Sequence, residues 1–149
     1  MTATVSAAVA LADLAALEPL VRAHIDYERA AVVLPDDWAA RTATLVAAGK
    51  LVVFAARSGG EQVGYASVTT DVATWTGQAF AHLDCLFVAR EYRGGGVGRL
   101  LVDAVAHYAR GRGHGELQWQ TPGWNADAVR FYERLGATHR PKERFALVL

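Results

Sequence analysis

Leu83-Asp84-Cys85-Leu86-Phe87-Val88-Ala89-Arg90-Glu91-Tyr92-Arg93-Gly94-Gly95-Gly96-Val97-Gly98-Arg99 passes from β-forming residues through a glycine cluster into a helical pattern. Phe80 to Val88 predicts a strand that ends where the glycines approach. Val97 to Ala109 places Leu100, Leu101, Ala104, Val105 and Tyr108 on one face, with Gly111 and Gly113 as its stop, and predicts an amphipathic helix. Backbone N–H groups gathered at the positive end of that helix form an anion cradle, flanked by Arg93 and Arg99. Glycine suits such a place because a Cβ would hinder both positive φ and close approach of a phosphate to the main chain. A plain tight turn accounts for the same glycines. Two familiar phosphate motifs fail: Arg99 stands where a dinucleotide fingerprint needs its third glycine, and no Gly-Lys-Ser/Thr follows.

Upstream, Thr4 to Ala8 predicts a first strand, and Asp13 reads as the N-cap of a helix through Leu14, Leu17, Val21 and Ile25, interrupted or restarted at Pro19. Pro35, Asp36, Asp37 and then Gly49 bracket a second helix. Leu51 to Arg57 and Gln62 to Thr70 form a hairpin around Ser58-Gly59-Gly60-Glu61. Downstream, Glu116 to Gln120 reads as a short strand, Asn125 to Leu135 as a helix closed by Gly136, and Phe145 to Leu149 as a final strand. One α/β domain spanning residues 1–149 is the expectation, a mixed sheet with helices on both faces.

Composition narrows the function classes. With 149 residues and 52% hydrophobic residues the chain can bury an ordinary core. Fifteen Lys and Arg balance fifteen Asp and Glu, so no field favours nucleic acid or an anionic membrane. Cys85 is the only cysteine, which excludes an internal disulfide and a thiolate zinc site, and is compatible with a reducing cytoplasm. The histidines at 24, 82, 107, 114 and 139 show no metal-ligand spacing. No apolar run approaches the ~20 residues that span a bilayer, and a cytoplasmic protein is expected.

The glycine turn resembles the pyrophosphate loop of the GNAT superfamily of N-acetyltransferases, Arg/Gln-x-x-Gly-x-Gly/Ala, with Arg93, Gly96 and Gly98 at the defined positions. Leu83 to Val88 looks like the strand that precedes that loop, and the block from Trp124 to Ala137 looks like the second signature of the superfamily. The resemblance implies a mixed, mostly antiparallel sheet of six to seven strands, acetyl-CoA as cosubstrate, no metal, and often a homodimer. It implies that the main chain of Leu86, Phe87 and Val88 runs beside the pantetheine arm and that Arg93, Gly94, Gly95, Gly96, Val97, Gly98 and Arg99 hold the pyrophosphate. Asn125, Ala126, Asp127 and Ala128 then close the other side, and Tyr132 protonates the departing thiolate. A core aromatic beside Phe131 is the other reading of Tyr132.

Asp26-Tyr27-Glu28-Arg29, Trp75-Thr76-Gly77 and Leu83-Asp84 look like the spermidine and diamine branch, which implies a small primary amine as acceptor. In that branch Asp84 matches the acidic residue that acts as base, directly or through water; a salt-bridged strand carboxylate is the alternative. Tyr27, Glu28, Gln118, Trp119 and Gln120 are the acceptor-side candidates, with Asp71, Trp75 and Glu143 as fainter ones. Strict strand alternation puts His82, Asp84, Leu86 and Val88 on one face and Cys85 on the other, which makes Cys85 a buried hydrophobe and not an acyl carrier. A CoA-binding sensor without catalysis and an acetyltransferase of a protein or peptide amine remain the competing functions.

Overall fold

The computed structural model describes residues 2–149. A short strand, Thr4–Ala7 (β1), leads into helices Leu11–Ala15 (α1), Glu18–Tyr27 (α2) and Trp38–Ala47 (α3). Pro19 stands in the first turn of α2, where its missing N–H costs nothing, so the proline starts a helix and does not kink one. Asp13 is not an N-cap: Ala10 holds that position, and the Asp13 carboxylate instead accepts from the Arg57 guanidinium at 3.0 Å.

Strands Val52–Ser58 (β2), Glu61–Ala73 (β3) and Gln78–Val88 (β4) follow, then one 3₁₀ turn at Arg90–Tyr92, helix Val97–Gly111 (α4) and strand Leu117–Gln118 (β5). The sheet order is β1-β2-β3-β4-β5, antiparallel except for the parallel pairing of β4 with β5. Leu14, Leu17, Leu20 and Val21 cover one face together with Val53, Tyr65 and Phe87. Val97, Leu101 and Val105 of α4 cover the other with Val63, Ala66, Val68 and Leu83. At Gly64 β3 leaves no room for a side chain: a Cβ there would stand 2.9 Å from the Phe87 carbonyl oxygen.

Residues to Trp119 form one compact unit and Gln120–Leu149 another. The second contains helix Ala126–Arg134 (α5), ended by Gly136 at φ +89°.

Three expectations about strands change. The sheet has five strands among the described residues, fewer than six to seven. Glu116 to Gln120 shrinks to Leu117–Gln118, and Phe145 to Leu149 is not a strand; Phe145 is 90% exposed. Strand propensity describes fit to a half-buried pleated surface, and without cross-strand neighbours it makes no strand.

The alternation in β4 also changes. Ser67 pairs with Cys85 but Val68 pairs with Leu83, which leaves Asp84 as the extra residue of a β-bulge. Ala81 and Leu83 before it, and Leu86 and Val88 after it, all pack on the α4 side, while Cys85 and Phe87 pack on the side of α1, α2 and α3.

Candidate active site

After the 3₁₀ turn the backbone enters left-handed space twice, at Gly94 (φ +78°) and Gly96 (φ +86°). L side chains rarely adopt that conformation. Gly96 is the N-cap of α4, and no side chain caps the helix. The amides of Val97, Gly98 and Arg99, in its first turn, therefore have no intrahelical acceptor and sit at the positive helix end. A Cβ on Gly94 or Gly96 would meet nothing within 4 Å. Packing thus does not explain these glycines; backbone conformation and open approach to the helix end do, and both fit a pyrophosphate.

The two flanking arginines are engaged within the chain. Arg99 Nε lies 3.2 Å from Asp103 in an exposed pair. Arg93 Nε donates to the Val88 carbonyl at 2.8 Å, and its guanidinium carbon sits 4.6 Å from the Tyr27 ring centre and 5.3 Å from that of Phe87. Arg93 thereby fastens the end of β4 to α2.

Asp84 is exposed on the bulge, and the Cys85 thiol donates to its Oδ2 at 3.8 Å. The two are neighbours on the same side, contrary to the alternation expected. Burial, with the charge of Asp84 adding to it, pushes the Cys85 thiol up to about 11, while hydrogen bonds from the Ser67 and Tyr65 hydroxyls pull the other way. A thiol so protonated at neutral pH is a poor nucleophile.

Tyr65 is 4% exposed, and burial, followed by its interaction with Cys85, holds its phenol protonated well above the usual range. Its Oη lies 2.7 Å from Nδ1 of His24, a residue 9% exposed; His24 Nε2 lies 3.1 Å from Oε1 of Glu28. The imidazole stacks on Phe87 at 5.0 Å, and Tyr27 stands 6.1 Å from the same ring. Hydrogen-bonded side chains thus run from Glu28 and His24 on α2 to Tyr65 on β3, and a separate contact joins Cys85 to Asp84 on β4. The sequence points to Glu28 and Asp84 but not to His24 and Tyr65. The available signal was His24 four residues before Glu28, on the helix face that also carries Leu20 and Val21.

The remaining candidates are dispersed. Gln118 donates its amide to Glu116, and Trp119 is half-buried against the α4-side cluster. Gln120 is exposed. Asp71 accepts from the Val72 amide, Trp75 is 100% exposed at the β3–β4 hairpin tip, and Glu143 is exposed. In the second unit Asn125 is buried and caps α5, its Oδ1 accepting from the Ala128 amide at 3.3 Å. Ala126 opens α5, Asp127 pairs with Arg130, and the Tyr132 ring lies 5.3 Å from Phe131.

Among the described residues no group of three His, Cys, Asp or Glu side chains could hold a metal ion, and no helix is long and apolar enough to cross a membrane.

Known proteins resemble this chain in sequence and in fold. A thialysine N-epsilon-acetyltransferase from Sus scrofa is 36% identical over 75 residues, 50% of this chain and 44% of that protein. An L-ornithine N5-acetyltransferase from Arabidopsis thaliana is 39% identical over 56 residues, 38% of this chain and 25% of that protein. The matched segments thus span less than half the length of these relatives. The solved structure of the aminoglycoside acetyltransferase AAC(6')-Iy with a CoA-linked bisubstrate analogue superposes with a TM-score of 0.83 at 20% identity, over 100% of this chain and 99% of that one, and so shares the fold. Residues 14–137 match the acetyltransferase (GNAT) family, and the chain belongs to that family.

Proposed function

We propose that the chain transfers the acetyl group of acetyl-CoA to a primary amine, a small molecule of the polyamine or diamine kind, by direct attack in a ternary complex. The observation that carries this reading is the pair of left-handed glycines at an open helix end, immediately downstream of a bulged strand that presents Asp84.

When bound, acetyl-CoA supplies a thioester carbon open to a neutral amine. The amides of Val97, Gly98 and Arg99 hold the pyrophosphate, with the turn Gly94-Gly95-Gly96 leaving room for it. The main chain of Leu86, Phe87 and Val88 would lie along the pantetheine. A primary amine with pKa ~10.4 costs roughly 4.6 kcal/mol to deprotonate at pH 7. Asp84 would take that proton. Glu28 and the Tyr27 ring attract the ammonium before it gives up its proton. The names of the ornithine and thialysine relatives support an aliphatic amine acceptor.

Purified protein incubated with acetyl-CoA and a panel of diamines, polyamines, ω-amino acids and lysine peptides, followed by free thiol and product mass, tests the reading. Acetylation of a small amine is the expected result. CoA binding with no turnover of any amine points to the sensor alternative, and turnover of peptides alone moves the acceptor to a protein.

A further inference from the structure

Glu28 stands where helix stability does not favour a carboxylate. It is the C-cap of α2, at the negative end of that helix, which prefers a cation. The next residue, Arg29, holds φ +57°, with its amide on the Asp26 carbonyl and the Ala30 amide on the Ile25 carbonyl. Glycine is the usual residue at such a helix end, since an L side chain is strained there. One turn earlier, His24 and Tyr65 put a buried polar pair beside Phe87, in the cluster that holds Leu20 and Val21. A matched apolar pair would pack there without a desolvation cost. Three departures from what the fold alone favours thus meet at one side chain, and each bears on how the Glu28 carboxylate is held.

We propose that Tyr65 and His24 are positioning residues that fix the Glu28 carboxylate in one orientation as the anchor for the ammonium group of the acceptor. The inference rests on the acetyltransferase reading above. A carboxylate only accepts hydrogen bonds, so His24 Nε2, 3.1 Å from Glu28 Oε1, carries a proton. The neutral imidazole then has its lone pair on Nδ1, and the Tyr65 hydroxyl, 2.7 Å away, is the donor. Burial keeps that phenol protonated and able to donate.

The ring itself is held in place. It stacks on Phe87 at 5.0 Å with 21° between the planes, and Tyr65 meets it edge-on at 5.7 Å. A donor aimed in this way selects the Glu28 rotamer that brings Oε1 to the imidazole, while the side chain, 36% exposed, stays open to a ligand from solvent. Holding a flexible glutamate in its binding rotamer removes part of the ordering cost of association. Such an effect belongs to KM for the amine and leaves the chemical step alone.

The tautomer is read without turnover. In nitrogen-15 imidazole spectra above neutral pH, with His24→Asn used to pick out its signals among the five histidines, a protonated Nε2 and a bare Nδ1 are expected. A proton on Nδ1, whether alone or together with one on Nε2, overturns the proposal. Amide substitutions then separate the two links. The asparagine of His24→Asn reaches about as far as Nδ1, so it keeps Tyr65 and loses Glu28; the glutamine of His24→Gln reaches about as far as Nε2 and does the reverse. Each loses one buried hydrogen bond, so a merely structural role makes them alike.

KM for the amine is expected to rise on the order of tenfold in His24→Asn, the worth of one hydrogen bond to a charged group. His24→Gln should stay near the wild type, and neither should move kcat or KM for acetyl-CoA. On a Glu28→Gln background, His24→Asn should add nothing to KM for the amine. If His24→Asn does not fold, Tyr65→Phe removes the donor that fixes the tautomer and should raise the same KM. Equal KM in the two His24 variants, or a full further loss on Glu28→Gln, overturns the positioning role. A wild type that acetylates no amine overturns the acetyltransferase reading, and the nitrogen spectra then decide by themselves whether Tyr65 and His24 hold Glu28.

Discussion

The Tyr65 hydroxyl stands 2.7 Å from Nδ1 of His24, joining β3 to α2 through a bond between two buried side chains. Removing either partner strands the other in an apolar setting. Tyr65→Phe or His24→Leu alone should therefore lower stability by about 1–3 kcal/mol. The double variant, which replaces both by apolar groups, should recover most of that loss, since an apolar pair of matched shape is commonly neutral. Urea unfolding of the four proteins checks this, and additive losses would mean that the two side chains do not depend on each other.

Cys85 gives a pH signature. Its folded pKa is raised from an ordinary 9.0 to about 11, chiefly by burial. The contribution of the protonated thiol to stability is fully present below the unfolded pKa and is lost as pH rises from ~9 through about 11. Alkylation by iodoacetamide should rise with a midpoint near 11, and at pH 8 run on the order of 10²-fold slower than in the urea-unfolded chain. A midpoint near ~8.5 would show a thiol outside the buried cluster.

Much of this was legible locally. The glycines at 94 and 96 announced positive φ and an open helix end because those properties belong to residue type and immediate neighbours. Helix α5 was readable for the same reason, from Asn125 at one end to Gly136 at the other. The bulge at Asp84 was not, because register depends on how β4 meets β3, and a one-residue slip reverses which side chains share a face. His24 was overlooked because it lies 41 residues from Tyr65, and only the fold brings them together. Asp13 misled for a related reason: a remote arginine, Arg57, claimed its carboxylate.

Gly64 tests the close approach of β3 and β4. A methyl group there would sit 2.9 Å from the Phe87 carbonyl oxygen and 3.2 Å from Leu101, and neither a paired strand nor a packed core side chain yields easily. Gly64→Ala should cost about 1–3 kcal/mol in thermal or urea unfolding. An unchanged midpoint would show that the strands separate there without penalty.

Asp84→Asn separates the base from its surroundings, since the amide keeps the shape and loses the charge. The expected fall in kcat/KM for the amine is about 10²–10⁴ at pH 7, with KM for acetyl-CoA unaffected. Without a base the substrate must arrive neutral, so the rate of the variant should climb roughly tenfold per pH unit toward the amine pKa of ~10.4. A variant with the wild-type rate and a flat profile would remove Asp84 from the chemistry.

Gly96 distinguishes a turn glycine from a cradle glycine. At φ +86°, with no atom within 4 Å of a would-be Cβ, Gly96→Ala clashes with nothing in the chain and meets only the strain of a left-handed L residue, about 1 kcal/mol. If the open space above it receives the pyrophosphate, CoA affinity measured by calorimetry should fall more than the roughly fivefold which that strain alone could explain. Gly111→Ala is the matched control: it lies at the other end of the same helix, also with nothing within 4 Å, and should leave affinity unchanged. Equal CoA affinity in both variants would return Gly96 to the role of a plain tight turn and place the anion elsewhere.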